Sequence, residues 1–521
     1  MHFTKPFKSS PHSLPSPDGR YVATLLPPNL IIRSVGSLGI LRTIKLPPDL
    51  SGGVTSFVWS PLSTRVLVAV ADQLHIFSAT GGDLYGLVQI PQPLAAKSAF
   101  VQFGDTDDEV CVWSPLGIKL TIINLISSKA VEINNPKFYV GMSASRGCSF
   151  RSGTHHLALL TRTLGKDMIS IHPAETREVQ RSWSPDTVDA QGLAWTPDGK
   201  WLVVWESPAH GNRVLYYTPD GHIFKDWHGS RLLRPALADM DQYGSGVKTL
   251  GFSPNGRYTA VANGSDCIYI LNDRLVEEKM LHHAQVVEPK DTLQLWQEQI
   301  NPRAGQPVVP TFVRATQAIS PPGLSSNGMS DVRAGCNLVK FDSSSSLLAS
   351  RLDDAPSTIW IWDVLTSELR AVLMYHANVT KVEWHPSQPE LLLMRCEGEE
   401  HSGLIFVWDP LSDGPRPIEL LRHLPSAKVN GRIYVTWLKT ATGSAALFFK
   451  DHATCILVSL ADTDETPPWE EQSTVALHVD KDSPADLNIQ HDNLSDYSSS
   501  DTCEGNSELD DTFHFKKSPL P

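Results

Sequence analysis

Apolar and polar positions alternate along this chain in a pattern that keeps returning. In "LAWTPDGKWLVVW", starting at Leu193, an apolar run ends in an aromatic, a polar turn follows, and a second apolar run begins. After a loop comes a third run, "RVLYYTP", and several units add a shorter fourth, as in "ILRTIKL" or "LRAVLMY". Short runs bounded by Pro, Gly, Asp and Ser predict strands. Aligned on the turn, Pro17, Pro61, Gly104, Ser152, Pro197 and Pro254 follow one another at steps of 44, 43, 48, 45 and 57 residues. Ser343, Pro386 and Thr440 continue the series after a gap, which makes nine units.

Four strands in about 40–45 residues is the blade period of a WD-repeat protein. The third runs, such as "TIWIWDV" and "LIFVWDP", are apolar on both faces, which suits a sheet packed between neighbours in a ring. The expected fold is therefore an all-β WD-repeat β-propeller. The near-copies "SPDGRYVA", "TPDGKWLV" and "SPNGRYTA" are its structural turns: Pro pre-sets φ and Asp-Gly or Asn-Gly closes the bend. Two third strands end in Trp-Asp, at Trp362-Asp363 and Trp408-Asp409, and His376 stands where such repeats place a histidine. Nine units exceed the usual four to eight blades, so one large ring of eight or nine is expected. A seven-bladed ring with strands donated elsewhere is the alternative.

The expected organisation is propeller units one to six over 1–281, an insertion over 282–335, units seven to nine over 336–460, and an acidic tail over 461–521. The insertion is rich in Pro, Ser and Gly and reads as irregular, with one short helix at "DTLQLWQEQI". The tail is too polar to fold alone and reads as disordered. The opening "HFTKPFKSS" has strand character and is expected to supply the outer strand of the last blade.

Charge changes the picture in one respect. The net −13 is concentrated in residues 461–521, which hold 15 carboxylates and 3 lysines; the other 460 residues carry 41 basic and 42 acidic side chains. A near-neutral body does not predict direct nucleic-acid or membrane binding. The seven cysteines are scattered without zinc spacing and suit a reducing compartment, and no run reaches the length of a membrane span, so the chain is expected to be cytoplasmic.

No HExxH, GxSxG or GxxxxGK[ST] occurs, so no catalytic, cofactor-binding or metal residue is assigned and no cofactor is expected. His155-His156 and His282-His283 are adjacent and read as solvated or capping. The acid clusters at Asp107 to Val110 and Glu397 to His401 read as solvated turns. Trp59, Trp195, Trp384 and Trp437 end first strands and read as core. Trp296 and Trp469 have no evident core to join. Trp296 reads either as an exposed docking anchor or as part of an insertion folded back on the ring. Ser498 and Ser507, each with an acid three residues on, and Ser483 and Ser518, each before Pro, are candidate phosphosites.

The segment from Gly335 to Met394, with its Asp353–Pro356–Trp360–Trp362–Asp363 pattern, resembles the WD-repeat family found at centrosomes and fungal spindle pole bodies. In animals that family includes the WD-repeat protein encoded antisense to a tumour-suppressor gene, also called WD repeat-containing protein eight. The paired units beginning at Gly192 and Gly244, the opening "MHFTKPFKSS" and the insertion after unit six fit the same family, over about residues 1–460. A fungal member is expected. The resemblance implies a non-enzymatic adaptor whose partners are a coiled-coil microtubule-anchoring protein, known in animals as the SSX-interacting centrosomal protein, and in yeasts a kinesin-14 motor. Together these tether spindle microtubule minus ends. The expected contact face lies in the loops between second and third strands: Glu206 to His210, Asn263 to Asp266, and Asp353, Asp354 and Pro356, with Trp296 outlying. The rival readings are a propeller adaptor of a ubiquitin ligase or trafficking coat, and an enzyme with an axial site.

Overall fold

The computed structural model describes residues 1–51, 53–70, 72–81, 85–90, 99–139, 146–229, 246–300, 310–323, 335–426, 428–440 and 444–469, and the backbone of 516–517. Within them the chain forms nine sheets taken in sequence order, each built on an antiparallel blade. All nine turns picked out in the sequence connect a first strand to a second. Blade 5 is representative, with strands Ala190–Trp195, Leu202–Glu206, Val214–Tyr217 and Ile223–Trp227.

The ring closes, and apolar packing shows how. Nine buried clusters each straddle two consecutive blades. Ala23, Leu30 and Ile32 of blade 1 pack against Phe57, Trp59 and Val66 of blade 2. The last cluster joins Leu438, Ala446 and Phe448 of blade 9 to Val22 and Val35 of blade 1. A blade is apolar on both faces because both faces are covered. Blade 9 draws its outer strand from the start of the chain: His2–Phe3 and Phe7–Lys8 pair antiparallel with Thr454–Ser459. Phe3 stacks on His423 with ring centroids 3.7 Å apart.

The repeated turn has one construction. Ser16, Thr196 and Ser253 each donate a hydroxyl to the Asp18, Asp198 or Asn255 side chain at 2.6–2.8 Å. That same side-chain oxygen takes the backbone N–H of Arg20, Lys200 or Arg257. The residue between has positive φ, +74° at Gly19, +67° at Gly199 and +70° at Gly256, which Gly adopts without strain. The first-strand tryptophans are core, and three also join blades. Trp59, Trp384 and Trp437 donate Nε1–H to Leu14, Lys340 and Glu383 carbonyls of the preceding blade at 2.8–3.0 Å.

The insertion departs from expectation. "LQLWQEQ" is a strand, not a helix: Gln294–Gln299 pairs parallel with Glu368–Met374, the fourth strand of blade 7, and antiparallel with Thr311–Arg314. Leu, Gln and Glu favour helix locally, but the open edge of blade 7 offers unpaired N–H and C=O groups, and the ladder prevails. Trp296 is buried rather than exposed, 8% accessible among Tyr375, Met394 and Phe406, and Gly414 lies against its ring. Trp469 is buried too, in the cluster that closes the ring. The disorder expected beyond Trp469 lies outside the described residues, apart from Lys516–Lys517, which pair with Tyr85–Gln89 at the edge of blade 2.

Candidate functional site

The three loops expected to form the contact face come together in one belt over blades 5 to 7. Pro208 packs on Gly246, Gly264 donates its N–H to the Gly246 carbonyl, Gly335 lies against Gly264, and Asp353 donates its N–H to Gly335. Most of the side chains named there are turned inward. The buried Glu206 carboxylate takes the backbone N–H groups of Val188, Asp189 and Ser207 at 2.7–3.0 Å. Asn263 is buried and holds Ser265 through its N–H and its hydroxyl. Asp266 is half-buried and offers its carbonyl to His283. Asp353 binds the Lys248 ammonium and the Asn337 amide, and the Pro356 carbonyl takes the Val379 N–H at 2.9 Å. His210 and Asp354 stay exposed. The belt is a rigid platform, with those two side chains presented to solvent. The candidate phosphosites Ser483, Ser498, Ser507 and Ser518 lie outside the described residues.

Two buried networks fix this region. His283 donates Nδ1–H to the Asp266 carbonyl at 2.6 Å, and its Nε2 lies 2.8 Å from the Ser350 hydroxyl. Ser350 in turn takes the Trp362 indole N–H at 2.9 Å. This is the histidine–tryptophan lock of a repeat, in blade 7. The sequence pointed to His376, which is exposed, and read His283 as solvated or capping. The true member is buried, and burial pushes its pKa down to about 4. The insertion hides the relation, because it separates His283 from the blade it serves. The second network ties the inserted strand to blade 8. The Glu298 carboxylate lies 2.7 Å from His401 Nε2 and takes the His376 backbone N–H at 2.7 Å, while Gln294 donates to the Pro410 carbonyl.

The acid cluster near Asp107 is likewise not a solvated turn. Asp107 takes the Leu62 N–H of blade 2 at 2.8 Å, and buried Glu109 pairs with Arg177 of blade 4 at 2.7 Å. Of the second cluster, Glu397, Glu399 and Glu400 are exposed, as read, while His401 is not solvated but buried against Glu298.

Blades 7 and 8 carry four cations that reach across to the next blade, Lys340 and Lys381 on first strands and Arg351 and Arg395 on second strands. Lys340 donates to the Val382 carbonyl at 2.9 Å, and Arg351 to the Asn337 side chain at 3.0 Å and to the Val379 carbonyl. Lys381 donates to the Val435 carbonyl and pairs with Glu383 at 2.8 Å. Arg395 reaches the Ile433 carbonyl at 3.3 Å and the Thr380 hydroxyl at 3.2 Å. Partial burial lowers the pKa of Arg351 and Arg395, and the loss of solvent around the ammonium lowers that of Lys340, where Glu383 acts the other way and Lys381 and Arg351 add to the lowering. A cavity of about 380 Å³ is lined by Trp59, Trp384, Trp437, Tyr434 and Glu383, so first strands of blades 1, 2, 8 and 9 approach one another around it. The legible signal was a lysine inside an otherwise apolar first strand, in "LVKF" and "VTKVEW".

A closed ring of four-stranded blades with a His–Ser–Trp lock defines a nine-bladed WD-repeat β-propeller, a class of generally non-catalytic scaffolds. Its relatives are WD repeat-containing proteins. The chain is 26% identical over 445 residues to the mouse (Mus musculus) WD repeat-containing protein WRAP73, covering 79% of this chain and 87% of the relative. It is 20% identical over 417 residues to an uncharacterized WD repeat-containing protein of Schizosaccharomyces pombe, covering 77% and 80%. No protein-family model matches the chain. Among solved structures, a eukaryotic initiation factor gives a TM-score of 0.49 at 10% identity, over 78% of this chain and 87% of that one. The Dos1 propeller gives 0.45 at 12%, over 79% and 93%. Likenesses at this level decide nothing, and the propeller rests on the sheet order and ring closure above.

Proposed function

We propose that this protein is a scaffold at the spindle pole body or centrosome. It holds a coiled-coil microtubule-anchoring protein, and with it a kinesin-14 motor, so that spindle microtubule minus ends are tethered. The observation that carries the reading is the segment Gly335 to Met394, whose resemblance to the pole-resident WD-repeat family coincides with the blade bearing the His283–Ser350–Trp362 lock. The similarity to WRAP73 over most of both chains supports it. The geometry suits the task. A closed ring leaves only the short outer edges of its blades unpaired, and its loop belt is held by backbone hydrogen bonds, so a partner docks on a pre-organised surface.

The test is to image the tagged protein in dividing cells beside a spindle-pole marker and to identify what co-purifies with it. Focal signal at both poles with a coiled-coil co-precipitant is the expected result. Diffuse or membrane-associated signal with ubiquitin-ligase or coat subunits overturns the proposal in favour of another adaptor role.

A further inference from the structure

Edges decide what the rim of this ring can take up. Each blade ends in an outer strand whose far side has no partner within the blade, and such an edge invites another strand unless charge or proline blunts it. Six of the nine outer strands are blunted in this way. Arg42, Glu132, Arg181, Lys225, Lys279 and Arg416 stand within the outer strands of blades 1, 3, 4, 5, 6 and 8. Blade 7 is covered by the inserted strand Gln294–Gln299, and the outer strand of blade 9 comes from the start of the chain and holds Lys8. Blade 2 is the exception. Its outer strand, Tyr85–Gln89, reads YGLVQ, with no charge and no proline.

That edge is where the C-terminal region returns to the ring. Lys516 pairs antiparallel with Leu87 and Lys517 with Gly86, which makes a fifth strand on blade 2. The added strand is two lysines, so the sheet gains at its outermost position the residue type that edges most often carry. The length of the chain permits this contact within one molecule. Trp469 is buried at the closure of blades 9 and 1, and 46 residues separate it from Lys516. Only blade 1 lies between the two anchor points. A flexible chain of that length has an end-to-end reach of about 40 Å. Tethered so, the strand meets the edge at an effective concentration on the order of millimolar, which seats a short strand that would not hold from free solution.

We propose that the outer edge of blade 2 is a strand-addition site, and that the chain's own C-terminal segment around Lys516–Lys517 fills it. The contact is short, so it opens readily, and a partner segment that adds a strand there must displace it. The acidic stretch between the anchors, with twelve carboxylates and one lysine, is thereby tied to the ring at both ends. The proposal does not depend on the scaffold's place in the cell. Imaging tests residence at the pole, whereas exchange at blade 2 tests the edge wherever the protein resides.

The experiment compares the full chain with its Lys516→Pro/Lys517→Pro variant by amide hydrogen exchange over Tyr85–Gln89, at low protein concentration. Proline has no amide N–H and cannot extend a ladder. The substitutions lie outside the ring, so the two proteins are expected to melt together. Expected is exchange over Tyr85–Gln89 about fivefold faster or more in the variant, with Ala130–Asn134 of blade 3 unchanged. A peptide of residues 512–520, TFHFKKSPL, added to the variant at about millimolar concentration restores the protection, and the same peptide with Pro for both lysines does not. Exchange unaltered by the double substitution, or equal protection by the two peptides, overturns the site. Light scattering reads the occupant. A monomeric wild type supports the chain's own segment, and a wild-type dimer that the double variant converts to monomer overturns it in favour of exchange between two copies.

Discussion

Glu298 is the residue whose loss says most about how the inserted strand is held. Its carboxylate is buried between blades 7 and 8, within 2.7 Å of His401 Nε2 and of the His376 backbone nitrogen. Glu298→Ala strands both donors, His401 beside the Phe406 ring at 5.9 Å between centroids. A buried donor left unpaired costs about 1–3 kcal/mol, more when the lost partner was charged, and here two donors lose their acceptor. The expected local destabilisation is therefore about 3–5 kcal/mol. Glu298→Gln keeps the shape and one acceptor, so about half that loss is expected. A ring of nine blades need not unfold in one step, which makes a global midpoint a poor readout. Amide hydrogen exchange over Gln294–Gln299 reads the local opening directly. At tenfold per about 1.4 kcal/mol, exchange there should quicken by about 10²–10⁴ in the Ala variant. An increase below tenfold refutes the reasoning and leaves Trp296 packing and the strand ladder as the whole attachment.

The remaining predictions are local. Gly19→Ala introduces a Cβ that meets the Lys439 carbonyl at 2.1 Å with φ at +74°, whereas Gly153→Ala, at +79°, meets nothing. Denaturant midpoints should place Gly19→Ala well below Gly153→Ala, whose cost is about 1 kcal/mol; equal costs refute the close approach of blades 9 and 1. Burial lowers the Lys450 pKa to about 8 from 10.5. The unfolded chain therefore binds more protons between those values, and stability rises with pH from about 8 to about 10.5 by a few kcal/mol. Lys450→Met removes that rise relative to the wild type, as urea unfolding at pH 7.5 and 10 will show. Deleting residues 1–10 exposes the Thr454–Ser459 edge and removes the Phe3–His423 stack. Size-exclusion chromatography should then show self-association, and a monodisperse monomer of unchanged stability counts against the closing strand.

The repeat was legible because a blade is a local object. Each unit needs an apolar strand, a turn with positive φ and an aromatic at the strand end, and those demands act within about ten residues. The turns at Pro17, Pro197 and Pro254, the core role of Trp59, Trp195, Trp384 and Trp437, and the all-β class follow from them. Tertiary structure decided what local demands leave open. Nine blades rather than eight became certain only when Phe448 met Val22 across the closure. "LQLWQEQ" became a strand because a distant edge was free to pair. Asp107, Glu109, Glu206 and Asn263 look like solvated loop polars in sequence, and each is buried because a neighbouring blade or its own loop supplies its hydrogen bonds. His283 found its partners 67 and 79 residues away, across an insertion that no local pattern bridges.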